Sequence, residues 1–290
     1  MQIIRTVEWM KQVARQAAAE GRLLGLVPTM GALHNGHLTL VRTAQQDCRP
    51  VVVSIFINPA QFGPGEDLSR YPRQLEKDCE MLEALGVEYA FHPAPAEIYP
   101  GGFRTWVSVE GLTTHFEGKS RPGHFRGVAT VVLKLLEIVR PHAAFFGRKD
   151  AQQARVVRQL AADLNLDAQV VVCPIVRELD GLAMSSRNAF LKPADRAAAV
   201  VLHEALRAVE RKIAEGQRDV AGLLATMRKV LDTEPSAAPE YIDIAGADSF
   251  EPVRVLRGPC LALLAVFLGG VRLLDNMLIE EHNGRFTCSL

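Results

Sequence analysis

Short apolar runs at residues 23–27, 51–57, 89–91, 143–146 and 169–173 alternate with segments of helical period through the first part of the chain. The clearest helix covers 128–139, where Val128, Val131, Val132, Leu135, Leu136 and Val139 fall at i, i+3, i+4 and i+7. Parallel strands must be joined by long crossovers, so this alternation points to βαβ units and an α/β fold with a parallel sheet. Such sheets bind ligands beyond the carboxyl ends of their strands. Residues 30–37, 58–61 and 147–150 all fall there.

The first of these stretches is the most informative. Residues 23–27 read as a buried strand, Pro28 and Gly31 as its break, and residues 37–46 as an amphipathic helix, so His34 and His37 stand at a strand-to-helix turn. The freed N–H groups and the positive dipole end of such a helix form an anion site. Histidines at i and i+3 share a face, and Gly36 between them permits close backbone approach. A lone histidine here would read as a hydrogen-bonded side chain, and a zinc helix would show His-Glu-x-x-His at i+4 with a third ligand. A phosphate is the expected ligand.

After Asn188 the texture changes. Helical stretches at 193–215 and 219–231 precede strand-like runs at 241–244, 261–268 and 271–279, with Gly269-Gly270 as a two-residue hairpin signal. The expectation is a smaller α+β C-terminal domain, with units at 1–178 and 179–290. At 290 residues and 48% hydrophobic content the chain can build both cores. Lys plus Arg and Asp plus Glu each number 33, so no net field recruits nucleic acid or an anionic membrane. Small molecules are the expected partners.

Five cysteines without a Cys-x-x-Cys pair suggest reduced thiols in a cytoplasmic protein rather than disulfides or zinc. The N-terminal segment reads as a helix ending near Gly21, with Arg5, Glu8, Lys11 and Arg15 breaking up any targeting signal. The longest apolar run, 260–268, is too short to span a bilayer.

Residues 28–37 resemble the His-x-Gly-His signature of the nucleotidyltransferase superfamily, which implies that the parallel sheet is Rossmann-like. The resemblance narrows to the pantothenate synthetase family through SIFINPAQFGPG at 54–65, RYPR at 70–73, RPGHFRGV at 121–128, FFGRKDAQQ at 145–153 and DGLAMSSRN at 180–188. It implies ATP-dependent ligation of pantoate and β-alanine through a pantoyl adenylate, with Mg²⁺, in a homodimer. It also implies catalytic roles for His34, His37 and Lys149. ATP contacts would come from Met30, Gly31, His34, Gly36, His37, Gly147, Arg148, Lys149, Asp150, Val176, Met184, Ser185, Ser186 and Arg187. Pantoate would meet Gln61, Gln153, Asn58 and Arg121, and β-alanine Gln61 and Tyr71.

Each residue also has a plainer reading. Lys149 at a helix start is disfavoured by the dipole, which an anionic partner would explain. Asp150 is a ribose or Mg²⁺ contact, or a helix cap. Arg148 stands where the family often has an acid. Ser185, Ser186 and Arg187 suit a lid over a triphosphate, or a polar linker. Asn58-Pro59 also fits a turn, and Arg121 to Arg126 a solvated basic loop that includes His124. Another nucleotidyl transferase of this fold would share the phosphate turn, as would a noncatalytic nucleotide-binding module; AMP formation separates the latter from an enzyme.

Overall fold

The structure, a computed structural model, describes residues 1–290 and divides into two compact units, 1–148 with 152–174 and 149–151 with 175–290. The main division, between Pro174 and Ile175, falls four residues before the 178/179 boundary expected from the sequence.

The first unit comprises β1 (Gln2–Ile4), α1 (Val7–Ala19), β2 (Gly25–Thr29), α2 (Asn35–Asp47), β3 (Val51–Ile55), α3 (Leu75–Ala84), β4 (Tyr89–Phe91), the short α4 (Pro95–Ile98) and α5 (Phe116–Ser120), α6 (His124–Val139), β5 (Ala143–Gly147), α7 (Ala151–Asp163) and β6 (Gln169–Cys173). Its six strands are all parallel, in the order β1-β4-β3-β2-β5-β6. Every residue of β3 is buried, as expected of a strand covered on both faces. Leu40, Val41 and Ala44 of α2 form one core layer with Val27, Val53 and Phe145, while α1 packs on α6.

Pro28 does not end its strand. β2 runs through it to Thr29 and stays paired with β3, but its ladder with β5 stops at Leu26. The strand is therefore open on the β5 side at Pro28, where the absent N–H is tolerated as on an edge. That opening lies at the switch point of the sheet, with β3 on one side of β2 and β5 on the other. The N-terminal segment is not helix alone either, since β1 precedes α1 and adds to the sheet edge beside β4.

The second unit contains α8 (Pro193–Ala198), α9 (Val201–Ala214), α10 (Val220–Leu231), β7 (Ala237–Gly246), β8 (Cys260–Leu268), β9 (Val271–His282) and β10 (Arg285–Ser289). The expected 193–215 helix is split where the Leu202 N–H reaches the Ala199 carbonyl, a tightened turn. The strands form an antiparallel sheet in the order β10-β9-β8-β7. Leu202 and Leu206 of α9 and Leu223 and Met227 of α10 cover it together with Leu264 and Met277.

Gly269 and Gly270 have φ of +55° and +80°, the conformation a two-residue hairpin requires. Asn283 and Gly284 repeat it at +52° and +76° and add β10, a strand the sequence reading missed. All five cysteines are free, and burial pushes the Cys288 thiol up to about 11. No helix is long and apolar enough to cross a membrane.

Candidate active site

The two histidines are tied into the start of α2. His34 is its N-cap, and its Nδ1 accepts the Gly36 N–H at 3.1 Å, while His37 Nδ1 accepts the His34 N–H at 3.3 Å. This is a capping box built from imidazoles. Because each Nδ1 is an acceptor, each neutral ring carries its proton on Nε2. The rings lie 4.0 Å apart with 33° between their planes.

The backbone of the preceding turn is otherwise occupied. Gly31, at φ +83°, gives its N–H to Thr29 Oγ1 at 3.2 Å. Asp78 of α3, only 1% exposed, accepts the Ala32 N–H at 2.9 Å and the Leu33 N–H at 2.8 Å. The amides of residues 31–34 are thus engaged within the protein, which narrows the anion-binding groups to the helix start and the imidazoles. The groups suited to an anion are the Nε2–H donors, aided by the helix dipole. Asp78 is a supporting residue that sequence reasoning missed, because an acid in the first turns of a helix reads as a solvated charge.

Gln61 ends the 3-10 turn Pro59–Gln61 after β3 and is 9% exposed. Its Nε2 lies 3.2 Å from Met30 Sδ, so it reaches the histidine-bearing turn. Asn58 caps this 3-10 turn and is 1% exposed. Its Nδ2 donates to Gln61 Oε1 at 3.0 Å and to the Gly127 carbonyl at 3.1 Å; its Oδ1 accepts from Ala60 N–H at 3.3 Å and Tyr99 O–H at 2.8 Å. With both amide hydrogens and both lone pairs engaged, Asn58 holds Gln61 in place. Tyr99, another residue missed from sequence, is pushed up to about 12 by burial despite that bond to Asn58.

Arg121 is likewise an anchor in this structure. Its Nε and Nη2 bind the two Glu66 oxygens at 2.8 and 2.7 Å, and its Nη1 lies 3.1 Å from His124 Nε2. The pantoate contact expected of Arg121 would have to come from the guanidinium N–H groups that Glu66 does not take. Burial opposes the Glu66 charge, but Arg121 outweighs it and holds the carboxyl below its ordinary range. His124 Nδ1 is 2.8 Å from the Gln61 carbonyl; burial, helped by the Arg121 charge, pushes the ring down to about 4. Tyr71 is buried with its ring against Phe62.

Gln152 and Gln153 separate in role. Gln152 is 3% exposed and ties down the Leu112 and His115 carbonyls and the Glu117 N–H, whereas Gln153 is part-buried on the same helix. Gly147 ends β5, with open space where a Cβ would stand.

In the second unit, Lys149 Nζ sits 3.8 Å from Asp150 Oδ1 on the Arg148–Asp150 turn. The Lys149 carbonyl accepts from Asn276 Nδ2 at 2.9 Å. Val176 and Met184 face each other across a small hairpin, the Met184 N–H bonding the Val176 carbonyl at 2.9 Å. Ser185 Oγ accepts the Arg187 N–H at 3.3 Å and caps the turn Ser186–Phe190. As an acceptor there, the hydroxyl keeps its proton for an anion. No group of three or more His, Cys, Asp or Glu side chains is placed to hold a metal ion.

A sequence model of the pantoate-beta-alanine ligase family matches residues 2–278. A pantothenate synthetase of Heliobacterium modesticaldum is 52% identical over 97% of this chain and all of its own length. The crystal structure of pantothenate synthetase from Thermus thermophilus superposes with a TM-score of 0.91 at 43% identity, covering 95% of this chain and 98% of that one. A pantoate-beta-alanine ligase from Francisella tularensis, solved as a complex with beta-gamma ATP and beta-alanine, gives 0.79 at 35% identity, covering 96% and 97%.

Proposed function

The chain belongs to the pantoate-beta-alanine ligase family, and on that premise we propose that it condenses pantoate with β-alanine through a pantoyl adenylate, releasing AMP and pyrophosphate. The observation that carries this reading is the turn after β2, where two Nε2–H donors suited to phosphate adjoin Gln61, a neutral amide suited to a hydroxy acid, through Met30.

In the first half-reaction a pantoate carboxylate oxygen attacks the α-phosphorus of ATP and pyrophosphate departs. His34 and His37 donate Nε2–H to phosphate oxygens, and Lys149, Ser185, Ser186 and Arg187 meet the growing charge. Gly31, Gly36, Gly147 and Arg148 belong to the same phosphate-contacting turns. The Val176–Met184 hairpin presents backbone to the adenine. Gln61 and Gln153 orient pantoate, while Asn58 and Arg121 support Gln61 from behind. In the second half-reaction the free amine of β-alanine, with Gln61 and Tyr71 as its contacts, attacks the acyl carbon and AMP leaves.

The partly exposed carboxylate of Asp150 is the protein group that would hold Mg²⁺, a hard cation suited to oxygen donors. Bound there, the ion would neutralise phosphate charge. The alternative role of Asp150 on the ribose uses the same exposed carboxylate. A cytoplasmic homodimer completes the proposal, and light scattering of the purified protein checks the dimer.

Isotope exchange tests the pathway. With Mg²⁺-ATP and pantoate alone, labelled pyrophosphate should enter ATP, and β-alanine should not replace pantoate. A strict requirement for β-alanine before exchange would overturn the adenylate.

A further inference from the structure

Two adjacent polar residues, Asp275 and Asn276, are buried in β9 at 3% and 1% exposure. Their neighbours on the strand are Leu273, Leu274, Met277 and Leu278, and opposite them on β8 stand Leu264 and Leu263. Burying a carboxylate and an amide is unfavourable unless both are bonded, and apolar residues of similar volume often serve stability as well or better. Core stability alone therefore does not account for the pair.

Their partners do. Successive strand residues point to opposite faces. Asp275 takes both Arg177 nitrogens, Nη1 at 2.7 Å and Nη2 at 2.9 Å, and Arg177 Nη1 also binds the Gly181 carbonyl at 3.0 Å. Asn276 donates from Nδ2 to the Lys149 carbonyl at 2.9 Å, across 127 positions of sequence. Its own N–H bonds Asp275 Oδ1 at 2.8 Å, which joins the two halves of the network. One strand thus grips the backbone of Lys149 and, through Arg177, the hairpin leading to Ser185, and the turn Ser186–Phe190 packs on it as well.

We propose that Asn276 is a positioning residue for Lys149, held in place by the Asp275–Arg177 pair. It touches no reactant; it fixes the main chain from which the lysine reaches out. The proposal rests on the role given to Lys149 in ATP activation. A lysine has four rotatable side-chain bonds, so a fixed carbonyl is a direct way to limit where its ammonium can go.

The test is Asn276→Leu, similar in volume and without the donor. Expected are a fall of about tenfold in the maximal rate of pantoate-dependent pyrophosphate exchange, of the kind small misplacements produce, and an unchanged KM for pantoate. In a Lys149→Ala background the same substitution should have little further effect, because residues acting through one group are not additive. Acetic anhydride labelling of Lys149, read by peptide mass spectrometry, supplies a measure independent of activity, and it should rise several-fold in Asn276→Leu.

Wild-type labelling and exchange in Asn276→Leu would overturn the proposal, as would a full additional loss in the Lys149→Ala background. If the wild-type protein itself shows no exchange, the adenylation reading fails and labelling alone decides whether Asn276 positions Lys149. Asn276→Ala is measured alongside. Loss of cooperative unfolding in both variants would make the pair a stability element and overturn the proposal.

Discussion

Each imidazole of the histidine turn works from two edges. Nδ1 closes the capping box and so puts the proton of the neutral ring on Nε2, and the ordinary structural role of a helix cap thereby dictates the tautomer that phosphate recognition needs. The two edges can be separated by substitution. Asn places its amide oxygen near the position of Nδ1, whereas Gln reaches the position of Nε2. His37→Asn should keep the cap and melt close to wild type, yet slow pyrophosphate exchange by about 10²-fold, the loss expected for one donor to transition-state charge. His37→Gln should also keep its stability, because glutamine is an ordinary capping-box residue at this third helical position, and it should retain more activity because its longer amide can also reach the Nε2 position. Urea unfolding and exchange rates on the same preparations check both; the reverse ranking would mean that Nδ1 is the functional edge. At this scale the sequence showed the histidines clearly, since their spacing and Gly36 are local. It could not show that Asn58 and Arg121 are committed to Gln61 and Glu66, because those partners are chosen by tertiary packing.

Between elements, the tightest constraint on the site is the packing of α6 against the Pro59–Gln61 turn. A Cβ at Gly127 would lie 2.2 Å from the Ala60 carbonyl oxygen and 2.7 Å from Gln61 Cα, so α6 approaches only because this residue is glycine. Gly127→Ala must push the turn away, costing about 1–3 kcal/mol as an overpacked contact does. It should raise KM for pantoate with little change in ATP affinity; calorimetric titration of each ligand distinguishes this from general loosening, in which both would weaken alike. The strand and helix pattern was largely legible because buried parallel strands and amphipathic helices carry their periods in the chain. β10 was legible too, through Asn283-Gly284, a stronger hairpin signal than the Gly269-Gly270 that was read. β1 has only three residues and no period to detect. Asp275-Asn276 inside an apolar strand was a visible irregularity, but only the fold shows that Lys149 lies opposite it.

For the whole molecule, the buried network around His124 makes stability depend on pH. The ring is faced by Arg121, Glu117, Glu66 and the Gln61 carbonyl, and burial together with the Arg121 charge lowers it from 6.5 to about 4. In the unfolded chain His124 takes up a proton near pH 6.5; in the folded protein it does so only near 4. Between those values the unfolded state binds more protons, so this group's contribution is fully present above about pH 6.5 and is lost as pH falls toward 4, by ~3 kcal/mol in total. Glu66, held low by Arg121, extends the loss below its ordinary 4.5, because its contribution is present above that value and disappears as its carboxylate is protonated. His124→Asn keeps a donor near the Gln61 carbonyl but cannot titrate. It should be less stable than wild type at pH 7, with the gap closing by about 2 kcal/mol at pH 4.5 as the wild type loses its advantage. Urea midpoints at the two pH values measure this, and parallel losses in both proteins would show that His124 is not held neutral by the fold.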